Sequence, residues 1–276
     1  MSERRITVEI DGGVADVHLN RGDKMNAMDG RMFAALVETA DELACNNAVR
    51  AVVLSGNGPS FCAGLDFSGF QAMAGGVGGD ESDSTGNIGR VEKEREHVTH
   101  HAQQAVWGWH QLPMPVIGAI HGVAYGAGSQ LALGPDIRFA APDMRFSILE
   151  VKWGLIPDVG ISQTLRELVS LDVAKELTWT GRVLDGAAAK ELGLVTHVSD
   201  NPLEDALALA AEIATKSPDA VRRGKKLLEE SWRADAKTGL ELESSLQAEL
   251  IGSPNQIESV KAGFEKRAPV YEDPAE

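Results

Sequence analysis

Up to about Asn201 the chain alternates short apolar, strand-like runs with amphipathic, helix-like ones, and beyond that point it carries helical patterns only. Such alternation restricts the fold to an α/β core, because helices must cover the faces of the sheet. A terminal helical block then acts as a cap or an assembly element. Ile6–Ile10 and Val14–Leu19 are expected strands, joined at Asp11-Gly12-Gly13, a hairpin signal. Arg31–Leu43 sets Phe33, Leu36, Val37, Ala40 and Leu43 at helical spacing. Arg50–Ser55 is a short apolar strand ended by Gly56-Asn57-Gly58-Pro59. Ala74–Gly89, rich in Gly, Ser and Asp, is expected to be a mobile loop. Val91–Leu112 reads as a polar surface helix stopped by Pro113 and Pro115. Pro115–His121 is an expected buried strand, Gly122–Gly128 a glycine-rich turn, and Ser129–Leu133 the start of a helix. Asp136–Ala140 and Met144–Phe146 are expected short strands. Later, Ser217-Pro218 and Ser253-Pro254 each offer an N-cap followed by proline at the first helical position. The expected division is residues 1–200 as a core and 201–276 as a C-terminal helical region.

Composition narrows the partners. The 276 residues carry 26 Lys+Arg against 41 Asp+Glu, a net charge of -15. Such a surface repels polyanions, so nucleic acid and anionic membrane are excluded as expected partners. The most apolar stretch, Pro115–Leu133, is broken by His121, Gln130 and several glycines, which marks a buried core segment and not a membrane span. Two cysteines, Cys45 and Cys62, form neither a disulfide framework nor a metal pattern. With no apolar run behind the charged start MSERRITVEI, a cytoplasmic location is expected.

Two turns carry the chemical signal: Phe61-Cys62-Ala63-Gly64-Leu65-Asp66, after a strand, and His121 through Ser129 (HGVAYGAGS), between a strand and a helix. Small residues let a ligand approach the backbone, and a helix start offers unpaired N–H groups. Two N–H groups converging on one point would receive a developing oxyanion. Taken alone, Gly126-Ala127-Gly128 reads as close helix–strand packing. A dinucleotide fingerprint is excluded because the third glycine is missing and no phosphate-loop lysine follows.

Together with Leu19–Met28 (LNRGDKMNAM), Glu150–Gly160 (EVKWGLIPDVG) and Gly263–Pro269 (GFEKRAP), these turns resemble the enoyl-CoA hydratase/isomerase (crotonase) superfamily. The resemblance spans nearly the whole chain. It implies an α/β spiral of strand–strand–helix turns, with C-terminal helices that build homotrimers or hexamers. It implies an acyl-CoA thioester substrate and no separate cofactor, coenzyme A being part of the substrate, and no metal. By position, the oxyanion donors would be the backbone N–H groups of Leu65 and Ala127. Lys24, Ala27, Ala63, Asp66, Gly126 and Gln130 would bind substrate, with Lys24 reading equally well as a solvated surface lysine.

The side chains decide the reaction. Hydratases of this family use two glutamates, and the first of these positions here is Gln130, whose amide neither gives nor takes a proton at neutral pH. The second is Glu150. Asp158 lies eight residues on, in a bent segment bounded by Gly154, Pro157 and Gly160. An aspartate there resembles the dienoyl-CoA isomerases, although those usually carry an aspartate where this chain has Gln130. Glu150 and Asp158 would then be the catalytic acid/base pair, shifting a 3,5-dienoyl thioester to the 2,4-dienoyl form. A Δ3,Δ2-enoyl isomerase could run on Glu150 alone. A hydratase for another acyl-CoA and a non-catalytic acyl-CoA-binding protein stand as alternatives, with a dehalogenating relative below them.

Plainer readings stand beside each of these residues. Asp158 can cap the helix that begins near Gly160, and Glu150 can pair with Lys152 or Arg145. His97, His100 and His101 sit among Glu92, Glu94 and Glu96, as on a solvated helix face and not as a metal site. Val221–Lys226 (VRRGKK) is a basic helix face with a lesser reading as a phosphate contact.

Overall fold

The computed structural model describes residues 4–66 and 99–274. The expected loop at 74–89, Glu92, Glu94, Glu96 and His97 lie outside the described residues. Strands β1 (Ile6–Asp11) and β2 (Val14–Leu19) form the expected antiparallel hairpin, with Ile6 opposite Leu19. Strands β3 (Ala51–Gly56), β4 (Val116–Ile120), β6 (Ile137–Ala140) and β8 (His197–Val198) extend it in parallel, giving a six-stranded sheet in the order β1-β2-β3-β4-β6-β8. A second, two-stranded sheet pairs β5 (Val123–Tyr125) with β7 (Arg145–Ser147) in parallel.

Strand β3 shows why its sequence is a continuous apolar run. Val52 and Leu54 enter the main core, while Ala51 and Val53 face α7 (Pro202–Ala214) through Ala206 and Ala210. A strand covered on both faces has no polar side to alternate with. On the main-core side lies α1 (Gly30–Ala44), which buries Met32, Phe33, Leu36, Ala40 and Leu43. Its N-cap, Asp29, accepts a 2.8 Å hydrogen bond from the Met32 N–H.

Two expectations about this region need correction. Helix α2 (His101–His110) is not a surface helix: Ala105, Val106 and Trp109 are buried, and α2 packs on α1. Its polar residues share a helix with an apolar stripe, which a count of polarity alone hides. The glycine-rich stretch 122–128 is likewise more than a turn, because it contains β5.

The remaining helices are α3 (Ala127–Ala132), α4 (Ile161–Thr164), α5 (Leu171–Thr180), α6 (Gly186–Glu191), α8 (Pro218–Ser231), α9 (Ala236–Leu250) and α10 (Pro254–Glu265). Ser217 and Ser253 cap α8 and α10 as their Ser-Pro pairs predict, and Asp235 caps α9. No helix among the described residues is long and apolar enough to cross a membrane.

Candidate active site

The first turn is fixed by the loop that follows β2. Asn26, fully buried, accepts from the Arg21 N–H at 2.8 Å and donates from Nδ2 to the carbonyls of Asn57 and Ser60 at 2.9 and 2.8 Å. Its left-handed backbone (φ 54°) is one that asparagine tolerates better than most side chains. The loop then runs beside residues 61–66: Ala63 N–H donates to Met25 O, Met28 N–H to Gly64 O, and Asp66 N–H to Met28 O. The segments holding Lys24, Ala27, Ala63 and Asp66 are therefore brought together as expected. Lys24 is exposed. The Asp66 carboxylate meets Arg21 Nη1 at 2.5 Å, so its side chain ties the two segments to each other.

The second turn is stitched onto the first. Cys62 N–H donates to Val123 O, and Tyr125 N–H donates to Cys62 O. Gly64 (φ 91°) passes so close that a Cβ there would press into the Tyr125 carbonyl oxygen and stand 3.6 Å from the Ala127 nitrogen. Gly64 O and Asp66 N–H face Met28, so the intervening Leu65 N–H points the other way. Ala127 is the first residue of α3, where an N–H has no intrahelical acceptor. Among the described residues, neither the Leu65 nor the Ala127 N–H has a hydrogen-bond acceptor.

Glu150 lies beside this pair. It opens a 3-10 turn (Glu150–Trp153) just after β7, and it is buried. Gly126 (φ 53°) leaves room for it, since a Cβ at that position would stand 3.4 Å from Glu150 Oε1. Oε1 accepts from Gln130 Nε2 at 2.7 Å, while Oε2 is buried with no hydrogen-bond partner among the described residues. Burial pushes the Glu150 carboxyl above its ordinary range; the Asp158 charge adds to the rise, and the Gln130 hydrogen bond opposes it. Pairing with Lys152 or Arg145 is not observed: Lys152 lies over the Trp153 ring and Arg145 is exposed.

Asp158 is exposed and does not cap α4, whose N-cap is Gly160 with no side-chain bond. Gln130 requires a correction. Expected at the substrate, it is fully buried, with its carbonyl accepting from the Val159 N–H at 2.8 Å. A buried amide must satisfy both its ends, and Glu150 and Val159 do so.

Other candidates are absorbed by the fold. His100 is the N-cap of α2, its Nδ1 accepting from the Gln103 N–H. Two residues of the basic run of α8 turn inward: Arg222 donates to Asn47 and to Val49 O, and Lys225 donates to Asp136 and Met114 O, while Arg223 pairs with Glu249 and Lys226 stays exposed. His110, Asp136 and Glu229 cluster within 4.8 Å, unforeseen from the sequence, but Lys225 Nζ already stands 2.8 Å from Asp136 as the balancing cation. Burial pushes the Cys62 thiol up to about 12, so it remains neutral and is no nucleophile.

The family model described as enoyl-CoA hydratase/isomerase matches residues 9–274. The chain belongs to this family. Within the enoyl-CoA hydratase/isomerase family, it is 33% identical over 266 residues to the mitochondrial methylglutaconyl-CoA hydratase of Mus musculus, covering 94% of this chain and 79% of that protein. It is 32% identical over 264 residues to the peroxisomal Delta(3,5)-Delta(2,4)-dienoyl-CoA isomerase of Arabidopsis thaliana, covering 95% and 93%. Its fold superposes on the crystal structure of an enoyl-CoA hydratase from Bacillus anthracis with a TM-score of 0.83 at 31% identity, covering 98% and 100%. The α/β crotonase architecture with C-terminal helices, expected from the motifs, is that of this chain.

Proposed function

We propose that this protein is an acyl-CoA isomerase that moves a double bond through a thioester enolate, shifting a 3,5-dienoyl-CoA to the 2,4-dienoyl form. The observation that carries the reading is Glu150: a buried, raised carboxyl with one unpartnered oxygen, beside a residue-130 amide that cannot activate water. In this reading the thioester oxygen lies between the Leu65 and Ala127 N–H groups. Glu150 takes a proton from C2, and the C–H electron pair becomes the enolate, whose charge rests on that oxygen. Asp158, after taking a proton from bulk water, delivers it farther along the conjugated chain, and Glu150 then releases the proton it took to solvent. For a plain 3-enoyl thioester, Glu150 itself can return the proton to C4. The backbone around Lys24, Ala27 and Ala63 would hold coenzyme A as part of the substrate.

A hydratase reading is favoured by the likeness to methylglutaconyl-CoA hydratase. It requires water to be activated by Glu150 without a second glutamate. The protein would be mixed separately with 3,5-octadienoyl-CoA, 3-hexenoyl-CoA and 2-hexenoyl-CoA, and conjugation followed by absorbance. Isomerase activity is the expected dominant reaction. Faster hydration of the 2-enoyl thioester would replace this reading with the hydratase one, and binding without turnover would leave only a thioester-binding protein.

We also propose self-association, as a trimer or a pair of trimers, through the helices of 201–276. Trp232, Leu240, Ile251 and Phe264 all stand more than half exposed there, which supports burial against further copies.

A further inference from the structure

Gln130 occupies the place where a second acid would stand, and its geometry gives it a different task. Its amide spans two partners in one direction only: Nε2 donates to Glu150 Oε1 at 2.7 Å, and Oε1 accepts from the Val159 N–H at 2.8 Å. Rotating the amide would set oxygen against carboxylate oxygen and N–H against N–H, so the partners themselves dictate its orientation. Gln130 is fully buried and lies on α3, three residues after Ala127. One helical turn therefore carries both the candidate oxyanion N–H and the side chain that grips the candidate base. Its other grip falls on Val159, next to Asp158.

We propose that Gln130 is a positioning residue that holds Glu150 by Oε1 and so presents Oε2 alone as the proton-transfer atom. The grip also ties the turn carrying Asp158 to α3, so a single amide sets the spacing of N–H donor, base and distal acid. This inference rests on the isomerase reading for its chemical meaning, but the grip itself is testable without turnover. Asp158 is the charged group that bears on Glu150, and Gln130 is the side chain that opposes its effect. Removing the Gln130 donor therefore moves the Glu150 titration to higher pH. A carboxylate at residue 130 moves it further, because a second negative charge replaces the donor.

The test uses the full chain as wild type, Gln130→Met and Gln130→Glu, with glutamate side chains labelled at the carboxyl carbon. Carbon NMR follows the Glu150 titration, identified by the signal missing from Glu150→Gln. In parallel, kcat and KM for 3-hexenoyl-CoA are measured across pH. The expected result is a Glu150 titration displaced upward in both residue-130 variants. In Gln130→Met, kcat at neutral pH falls about 10- to 100-fold while KM stays within about threefold. A Glu150 titration unchanged in a folded Gln130→Met protein overturns the proposal, even with reduced kcat, because loss of packing alone lowers activity without moving that titration. Should Gln130→Met fail to fold, Gln130→Asn, which keeps a neutral amide but withdraws it from Glu150 by one methylene, decides the question by the same displacement, and an unchanged Glu150 titration there overturns the proposal. An upward displacement in a protein that turns over no thioester upholds the grip and removes the isomerase reading.

Discussion

The site region and the C-terminal helices use polar and apolar groups in opposite ways. Around the two turns, polar side chains go inside: Asn26 and Gln130 are fully buried, and their amides reach distant segments, Asn26 donating to the Asn57 and Ser60 carbonyls and Gln130 joining Glu150 to Val159. Along α8–α10 several large apolar side chains go outside, with Trp232 70% and Phe264 85% exposed. There the ion pairs, such as Arg267 with Glu258, lie on the surface. Burying an amide or a carboxylate is unfavourable unless its partners are in place, so the first region has one workable geometry. Exposed aromatics carry no such constraint. The first pattern holds one local geometry in shape, and the second is the surface on which the proposed self-association rests.

Gly64→Ala tests the site side most severely. The added Cβ meets the Tyr125 carbonyl and displaces the Leu65 N–H, so kcat is expected to fall about 100- to 1000-fold. Steady-state kinetics with 3-hexenoyl-CoA checks this, and near-normal kcat would mean that the turn does not carry the donor. Asp158→Asn should lower kcat about 10- to 100-fold on a 3,5-dienoyl thioester and under about threefold on a 3-enoyl one. Equal losses on both would remove the two-carboxylate relay.

On the other side of the contrast, Trp232→Glu combined with Phe264→Glu should reduce the sedimenting mass to that of one chain, as read by analytical ultracentrifugation. An unchanged mass would make those aromatics ordinary surface. The smallest expected effect is on stability. The Glu150 pKa is raised in the folded state, so its contribution to stability is present in acid and lost as pH rises through that raised value. Glu150→Gln should therefore raise Tm at neutral pH by about 2–4 °C, with the gain fading at low pH in a thermal-melt series.

Much of the fold was legible because each local signal had a local cause. The Asp11-Gly12-Gly13 hairpin, the stripe of α1 and the Ser-Pro starts of α8 and α10 depend on neighbouring residues, and all appear where the pattern puts them. The two glycine turns could be paired only through the family resemblance, since their contact joins residues about sixty positions apart. What stayed hidden depended on three-dimensional partners. The strand Val123–Tyr125 exists because Arg145–Ser147 lies beside it, and its glycine-rich surroundings masked it. The inward aim of Arg222 and Lys225 follows from carbonyls and a carboxylate supplied by distant segments. Gln130 was legible as a missing acid but not as a grip, because Glu150 and Val159 lie 20 and 29 residues away.

In the proposed reaction Glu150 takes a proton from the carbon next to a thioester whose oxygen rests on two backbone N–H groups. Its most direct test is deuterium wash-in at C2 of 3-hexenoyl-CoA, followed by mass spectrometry in heavy water with wild type and Glu150→Gln. Rapid incorporation is expected with the wild type and none above background with the variant, although the variant still binds the thioester. Undiminished incorporation by Glu150→Gln would contradict the proposed reaction.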